Sequence, residues 1–356
     1  MLFDVMICND FVSGVYHLLS DTLTQNWTTD FSSNELPHLS QYFQSIFLCI
    51  FVGAIILRTF KSKTPSHAEI LRCPNPGCVR CQRYEETNKN AKRRLEHWIR
   101  TNSGQDSISD RIVEGITLGA PQPESFVIEG QYPNVLLVPD LAVQPIVSNM
   151  HRKAIETLSS EDPSTRRLHD VFLQEFLLAQ HHGELRNNDI GGSNPKYSDQ
   201  LWQVLYLVNQ GEWVEQNVWL CPQTVAMVKS LEGLMDGSLF GNVFFSVLYP
   251  GTVIDAHCGP TNVRHRLHFP LSIPFKSRSC QNPILHVNGV KMEWKEGCPF
   301  VFDDSLVHSA DYPGGIQDSE VRIVLVLDLW HPHLSSFEQN LLRDFYPPYS
   351  ENTTNE

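Results

Sequence analysis

Three residues in the second half of the chain could do chemistry together. His257 stands in His257-Cys258-Gly259-Pro260-Thr261-Asn262, and His308 closes the run Phe302-Asp303-Asp304-Ser305-Leu306-Val307-His308. Arg322 follows fourteen residues after His308. Two imidazoles suit a first-row metal, and non-haem iron oxygenases usually present two histidines and one carboxylate to one face of the ion. That carboxylate normally lies two residues after the first histidine, where this chain has Gly259. Spacing alone therefore leaves both a metal site and two structural histidines open. His265, His268 and His286 crowd the same region, so another histidine could serve, and Cys258 beside the first ligand could be oxidised.

Alternation along a strand sorts the neighbouring residues. From Arg264 onward, Arg264, Arg266 and His268 share one face, and His265, Leu267, Phe269 and Leu271 share the other. Two arginines and a histidine facing inward need anionic company, so the polar face reads either as a pocket wall or as a solvated surface. In Val321 to Leu329, Arg322, Val324, Val326 and Asp328 share a face opposite Val321, Ile323, Leu325 and Leu327. So apolar a strand is expected to be buried on both sides. Its arginine then needs a carboxylate from the protein or from a ligand.

The elements that must position these residues are short strands. Candidates are Val243–Leu248, Arg264–Ile273, Ile284–Val287, Val290–Trp294, Phe300–Phe302 and Val321–Leu329, with Leu201–Val208 and Pro133–Leu141 also strand-like. Pro250-Gly251, Gly259-Pro260, Asn288-Gly289, Glu296-Gly297 and Gly314-Gly315 mark turns, and Asn288-Gly289 is a hairpin signal. Many short strands with regular turns predict a mainly β sandwich or jelly roll. Helices are expected over Arg167–Gln180, with Leu168, Val171, Phe172 and Phe176 on one face, and from Pro222 to Leu234. Gly183–Gln200 reads as a polar loop.

The first half is organised differently. Residues 1–38 read as a tail without Lys or Arg, which is not the start of a cleaved signal peptide. Residues 39–60 reach the length of a membrane-spanning helix, or form a buried or interfacial one, and Arg58, Lys61 and Lys63 flank their end. The positive-inside rule would leave the following domain in the cytosol. Sequons at Asn26-Trp27-Thr28 and Asn352-Thr353-Thr354 lie on opposite sides of that segment. Residues 61–130 read as a linker, with Lys89–Arg100 able to form a short helix. Cys73, Cys78 and Cys81 form a partial metal knuckle, with His67 as a conceivable fourth zinc ligand; a disulfide or thiols are the alternatives. The globular domain is expected over 131–347 and a tail over 348–356. A net charge of -13 argues against a broad nucleic-acid surface.

Leu248-Tyr249-Pro250-Gly251-Thr252, His257-x-Gly259-Pro260-Thr261-Asn262, Arg264-x-Arg266-x-His268, Phe302-Asp303-Asp304-Ser305-x-x-His308 and Val326-x-Asp328-x-Trp330-His331-Pro332 together resemble the aspartyl/asparaginyl beta-hydroxylase family. The likeness runs from about Val138 to Pro347, with Trp202 to Gly211 matching in composition and spacing. The short architecture, with Cys78-Val79-Arg80-Cys81 ahead of the domain, resembles the aspartate beta-hydroxylase domain-containing members.

The resemblance implies a double-stranded β-helix (jelly roll) with flanking helices. It also implies a membrane-anchored dioxygenase that uses Fe(II), 2-oxoglutarate and O2 on Asp or Asn in polypeptides. Two histidines alone hold the iron in that family, so Gly259 fits its pattern. His257 and His308 become the metal ligands. Ser246 and Arg322 would bind the distal carboxylate of 2-oxoglutarate. Arg266, Leu267 and His268 would lie at the cosubstrate, with Trp202 lining the site. Asp304 would hold a water on the metal, and Arg264 would meet an acidic substrate side chain. By analogy the domain would lie in the lumen of the secretory pathway, against the charge rule. The alternative is a catalytically silent relative that binds a protein partner.

Overall fold

In the computed structural model, the described residues are 75–102, 108–119, 128–159, 168–183, 185–187, 202–274, 282–313 and 320–349. All lie in the compact unit Lys63–Glu356. The expected span at 39–60, the sequons, Cys73 and His67 fall outside the described residues. Among the described residues, no helix is long and apolar enough to cross a membrane.

In chain order the elements are α1 (Tyr84–Thr101), α2 (Asp110–Leu118), α3 (Arg152–Ser159), α4 (Leu168–Ala179), β1 (Arg186–Asn187), β2 (Trp202–Asn209), β3 (Glu212–Trp213), α5 (Glu215–Leu220), α6 (Pro222–Ser230), β4 (Val243–Leu248), β5 (Thr252–His257), β6 (Arg264–Ser272), β7 (Ile284–Val287), β8 (Val290–Glu293), β9 (Phe300–Phe302), β10 (His308–Tyr312), β11 (Arg322–Trp330) and α7 (Ser336–Phe345). A large antiparallel sheet runs β1-β2-β4-β11-β6-β9, with β3 on β2, and a small one runs β5-β10-β7-β8. From β4 to β11 the chain passes back and forth between the sheets, which is the winding of a jelly roll. The fold is mainly β with flanking helices, as the turn spacing predicts.

Strand parity decides which side chains go where. Leu267, Phe269 and Leu271 of β6 join Ile323, Leu325 and Leu327 of β11 behind the large sheet, packed on Phe172 and Phe176 of α4. Val324 and Val326 project the other way, between the sheets, with Leu285, Phe300 and Phe302. Burying each such side chain is worth about 1.5–3 kcal/mol, so a one-residue slip in β6 or β11 would exchange core and pocket faces. The β7–β8 hairpin turns at Asn288 and Gly289, both at positive φ (44° and 83°), as the Asn-Gly pair requires.

Several expectations fail. The helix expected to reach Leu234 ends at Ser230, and β1 lies inside the expected loop 183–200. Residues 133–141 form no strand, only an isolated bridge between Leu136 and Thr261. Their backbone is satisfied instead by the Pro260 carbonyl and the Asn262 side chain, while Val135, Leu136 and Val138 are buried. The segment expected as a linker is structured where it is described. Val79, Ala91 and Leu95 with Ile112 and Ile116 of α2 share one apolar cluster with Val263, Trp330 and Phe345. The apolar stripe of α1 is narrow among its charges, which hides it from a scan for apolar runs.

Candidate functional site

The pocket lies between the two sheets. His257 ends β5 and His308 begins β10, and the two are direct cross-strand partners. Their ring centroids are 4.2 Å apart. Each ring is fixed the same way: Nδ1 lies 2.8 Å from the carbonyl oxygen two residues earlier, Asp255 for His257 and Leu306 for His308. A carbonyl only accepts, so Nδ1 carries the proton and each Nε2 keeps its lone pair. Burial holds both rings neutral. The His308 imidazole falls to about 4, and His257 lies well below its ordinary value through burial and the neighbouring His308. Two neutral imidazoles with free Nε2 atoms are a metal-ligand pair in waiting. Among the described residues no third His, Cys, Asp or Glu completes a group with them.

Gly259 explains why. A Cβ there would come within 2.5 Å of Asp304 Oδ2, so Asp304 already fills the space of a side chain at that position. Asp304 is fully buried. It accepts from Arg264 at both oxygens, 3.2 Å from Nε and 2.5 Å from Nη2, and lies 3.7 Å from Arg266 Nη1. Burial alone would raise this carboxyl, but Arg264 and Arg266 overcome that and hold it below its ordinary range. Asp328, opposite Arg266 in the β6–β11 register, takes Arg266 Nε at 2.8 Å and Arg264 Nη1 at 3.1 Å. Burial opposes the Arg266 charge, and Asp328 and Asp304 more than restore it.

Two assigned residues fall elsewhere. Arg264 is 4% exposed and is spent on Asp304, Asp328 and the Phe240 carbonyl. It shares the face of Arg266 but is not among the residues that line the pocket, and each of its nitrogens already has an acceptor. Leu267 is wholly buried in the apolar cluster behind the sheet, so strand parity keeps it off the cosubstrate.

The far end of the pocket is built on Arg322. It is 2% exposed and donates to Ser246 Oγ at 2.7 Å, which also accepts from Trp202 Nε1 at 3.0 Å. Its Nε has no partner, and no ion pair with a carboxylate is present among the described residues. Burial lowers this guanidinium to about 9. Its carbon lies 4.7 Å over the Trp294 ring. Trp294 Nε1 donates to His268 Nδ1 at 3.0 Å. An indole N–H can only donate, so the proton of neutral His268 sits on Nε2. Burial, then Arg322, keep that ring neutral. His268 therefore offers an N–H where His257 and His308 offer lone pairs. His268, Arg266, Trp202, Ser246 and Arg322 line one pocket with both histidines.

Asp328 and Trp294 were not assigned roles from the sequence. Asp328 could have been found, because it shares the Arg322 face of its strand; nothing marked Trp294. Cys258 is 1% exposed, and burial pushes its thiol up to about 12, which removes the nucleophilic form expected of an oxidisable neighbour. Cys81 is buried and Cys78 half-buried.

A family model described as aspartyl/asparaginyl beta-hydroxylase matches residues 168–332. Human aspartate beta-hydroxylase domain-containing protein 2 is 32% identical over 280 residues, covering 78% of this chain and 70% of that protein. Human aspartate beta-hydroxylase domain-containing protein 1 is 32% identical over 219 residues, 61% of this chain and 52% of that one. Mouse aspartyl/asparaginyl beta-hydroxylase is 31% identical over 142 residues, 40% of this chain and 18% of that protein.

Proposed function

The chain belongs to the aspartyl/asparaginyl beta-hydroxylase family, and we propose that it is an Fe(II)- and 2-oxoglutarate-dependent dioxygenase acting on Asp or Asn side chains in polypeptides. One observation carries this reading. A facing pair of neutral imidazoles and a buried guanidinium without a carboxylate stand in the same pocket. A buried cation with an idle Nε is costly unless a ligand supplies the anion. 2-Oxoglutarate, a dicarboxylate, would supply that anion to Arg322.

The donor set fits ferrous iron, since two imidazoles leave several positions for cosubstrate and oxygen. When bound, iron with 2-oxoglutarate and O2 supplies the oxidation, giving succinate, carbon dioxide and a hydroxylated carbon. The chain's own residues do the rest. His257 and His308 hold the metal through Nε2. Arg322 and Ser246 take the distal carboxylate, and the Trp202 N–H fixes the Ser246 hydroxyl. His268 donates from Nε2, and Arg266 adds positive charge beside the metal end. Asp304 is the acceptor beside the ligand pair, locked by Arg264. The segment 39–60 would anchor the enzyme in a membrane of the secretory pathway, with the domain in the lumen; protease protection on intact vesicles tests that side.

The whole chain, purified in detergent, is supplied with Fe(II), 2-oxoglutarate, O2 and Asp- or Asn-containing peptides, and succinate is measured. The fragment 131–347 is unsuitable, because it lacks α1, α2 and their share of the core. Succinate formation is expected in the parent and lost by at least ~100-fold in His308→Ala, as for a removed metal ligand. A silent, partner-binding relative would make none in either. Equal turnover in the two proteins would remove His308 from the metal.

A further inference from the structure

The two metal-ligand candidates sit where regular pairing stops. His257 is the last residue of β5 and His308 the first of β10, and the β5–β10 register shifts between His308 and Ala310. A ladder that slips at its terminal pair does not by itself fix the spacing of those two residues. Beyond it the chain enters two loops, 258–263 and 303–307. They meet where the Gly259 N–H donates to the Asp304 carbonyl at 2.5 Å.

A third segment, 130–138, is bonded to both loops. On the His308 side, the Gly130 carbonyl accepts from the Val307 N–H at 2.6 Å, and Gln131 forms a bridge with Leu306. On the His257 side, the same carbonyl accepts from the Cys258 thiol at 3.8 Å. Further along, the Val135 and Leu136 N–H groups donate to the Pro260 carbonyl, and the Asn262 side chain spans the N–H and carbonyl of Val138. Gly130 is required here. Its φ of 87° favours glycine, and a Cβ would run into the Asn288 side chain. One carbonyl oxygen therefore touches the chain neighbours of both histidines.

The side chain that closes this clasp is Gln131. It is 4% exposed, and its Nε2 donates to Ser305 Oγ at 2.8 Å. Ser305, wholly buried, donates in turn to Asp303 Oδ1 at 2.6 Å. The same Asp303 oxygen takes the Ser305 N–H at 3.0 Å. Leu306, next in the chain, offers the carbonyl that fixes His308 Nδ1. The Gln131 amide thus reaches the imidazole through Ser305 and the carbonyl beside it. A buried chain of this kind is rigid when its members are satisfied.

We propose that Gln131 is a positioning residue for the metal site: through Ser305 and the Leu306 carbonyl it sets how His308 faces His257. This rests on the metal-ligand reading above. It extends the working site ahead of the family-matched region, which begins at residue 168. The domain expected over 131–347 would begin inside the clasp, between Gly130 and Gln131.

The test needs no turnover. The full chain in detergent, free of oxygen, is titrated with Co(II) against a chelator, and the visible absorption of the bound Co(II) is recorded. Gln131→Met keeps the side-chain length without the amide donor, and Ser305→Ala removes the acceptor. Each should weaken Co(II) binding by about 10-fold or more, the scale for an outer group that orients a ligand, and should shift the absorption bands. The double variant should lose no more than Ser305→Ala alone, because both changes cut one contact. Thr224→Val is the control: it removes an equally buried hydroxyl of α6, 2.7 Å from Glu175. It should lower the urea midpoint of the metal-free chain yet leave Co(II) affinity within about 2-fold. Parent-like Co(II) affinity and absorption in Gln131→Met overturn the proposal, whatever the urea midpoint. So do additive losses in the double variant. So does failure of both Gln131→Met and Ser305→Ala to fold while Thr224→Val folds, which would make the clasp scaffold only. A parent that binds no Co(II) sinks the dioxygenase reading itself, in a separate channel.

Discussion

Two arginine environments lie within one sheet and are built on opposite principles. Arg264 and Arg266 end on two buried carboxylates, and Asp328 also accepts from the Asn242 backbone and side chain at 3.0 Å each. Arg322, on the same face of β11 as Asp328, meets one hydroxyl and an aromatic ring. The first is a closed lattice that needs nothing more. The second is an electrostatic deficit that the fold tolerates. The difference teaches where stability ends and ligand recognition begins: a satisfied buried ion group holds strands together, whereas an unsatisfied one marks what must bind.

The sharpest way to break that contrast is to remove one member of each. Asp328→Leu strands two guanidiniums and the Asn242 amides, so it should cost about 3–5 kcal/mol of unfolding free energy, measured by urea denaturation of the full chain. Arg322→Met removes a cation with no acid, so stability should stay level or rise, while the 2-oxoglutarate requirement climbs at least ~10-fold. Equal destabilisation by the two would erase the distinction between lattice and deficit.

Much of the contrast was legible from strand parity. The faces of β6 and β11 follow from alternation, and the register then sets Asp328 against Arg266. The six strand candidates from 243 onward all appear, with ends shifted by one residue at most. What parity could not give are β5 and β10, the strands that carry both metal-ligand candidates. Thr252–His257 and His308–Tyr312 are short and mixed in polarity, because they belong to the small sheet, and no apolar run announces them. The start of α1, ahead of the expected Lys89–Arg100, and the whole of α2 were hidden for a related reason. Their buried residues are few and widely spaced among charges, so only the tertiary partner reveals the interface.

Histidines give a second comparison across the large sheet. Behind it, His151 Nε2 lies 2.8 Å from His265 Nδ1, with the His331 ring 4.4 Å from the His265 ring. In the pocket are His257, His268 and His308. Burial lowers both sets, His151, His331 and His308 to about 4. The sign follows from proton uptake. Between the ordinary value of 6.5 and about 4 the unfolded chain binds protons that the folded one refuses, so stability is full above 6.5 and declines as pH falls toward 4. Metal affinity should behave differently, because the folded Nε2 lone pairs stay free over most of that window. A pair with ordinary imidazole values would lose roughly 50- to 100-fold in affinity from pH 7 to 5.5. This pair should lose less than about 3-fold, measured by competition with a chelator whose own pH dependence is known. A 50-fold loss would mean that the rings are not held neutral by the fold.

The smallest effect tests the tautomers. His257 and His308 spend Nδ1–H on carbonyls and present lone pairs, while His268 spends its Nδ1 lone pair on the Trp294 indole and presents N–H. Trp294→Phe keeps a ring near Arg322 but frees His268 to take either tautomer. About half of the donor population at Nε2 would then be lost, together with some of the cation–π contact, which is worth about 0.5–1 kcal/mol or more. The 2-oxoglutarate affinity should fall by roughly 2- to 5-fold, with metal affinity unchanged, since neither metal-ligand candidate touches the indole N–H. Weaker metal binding with intact 2-oxoglutarate binding would reverse the assignment, making His268 a lone-pair donor to the ion and one of the facing pair its substitute.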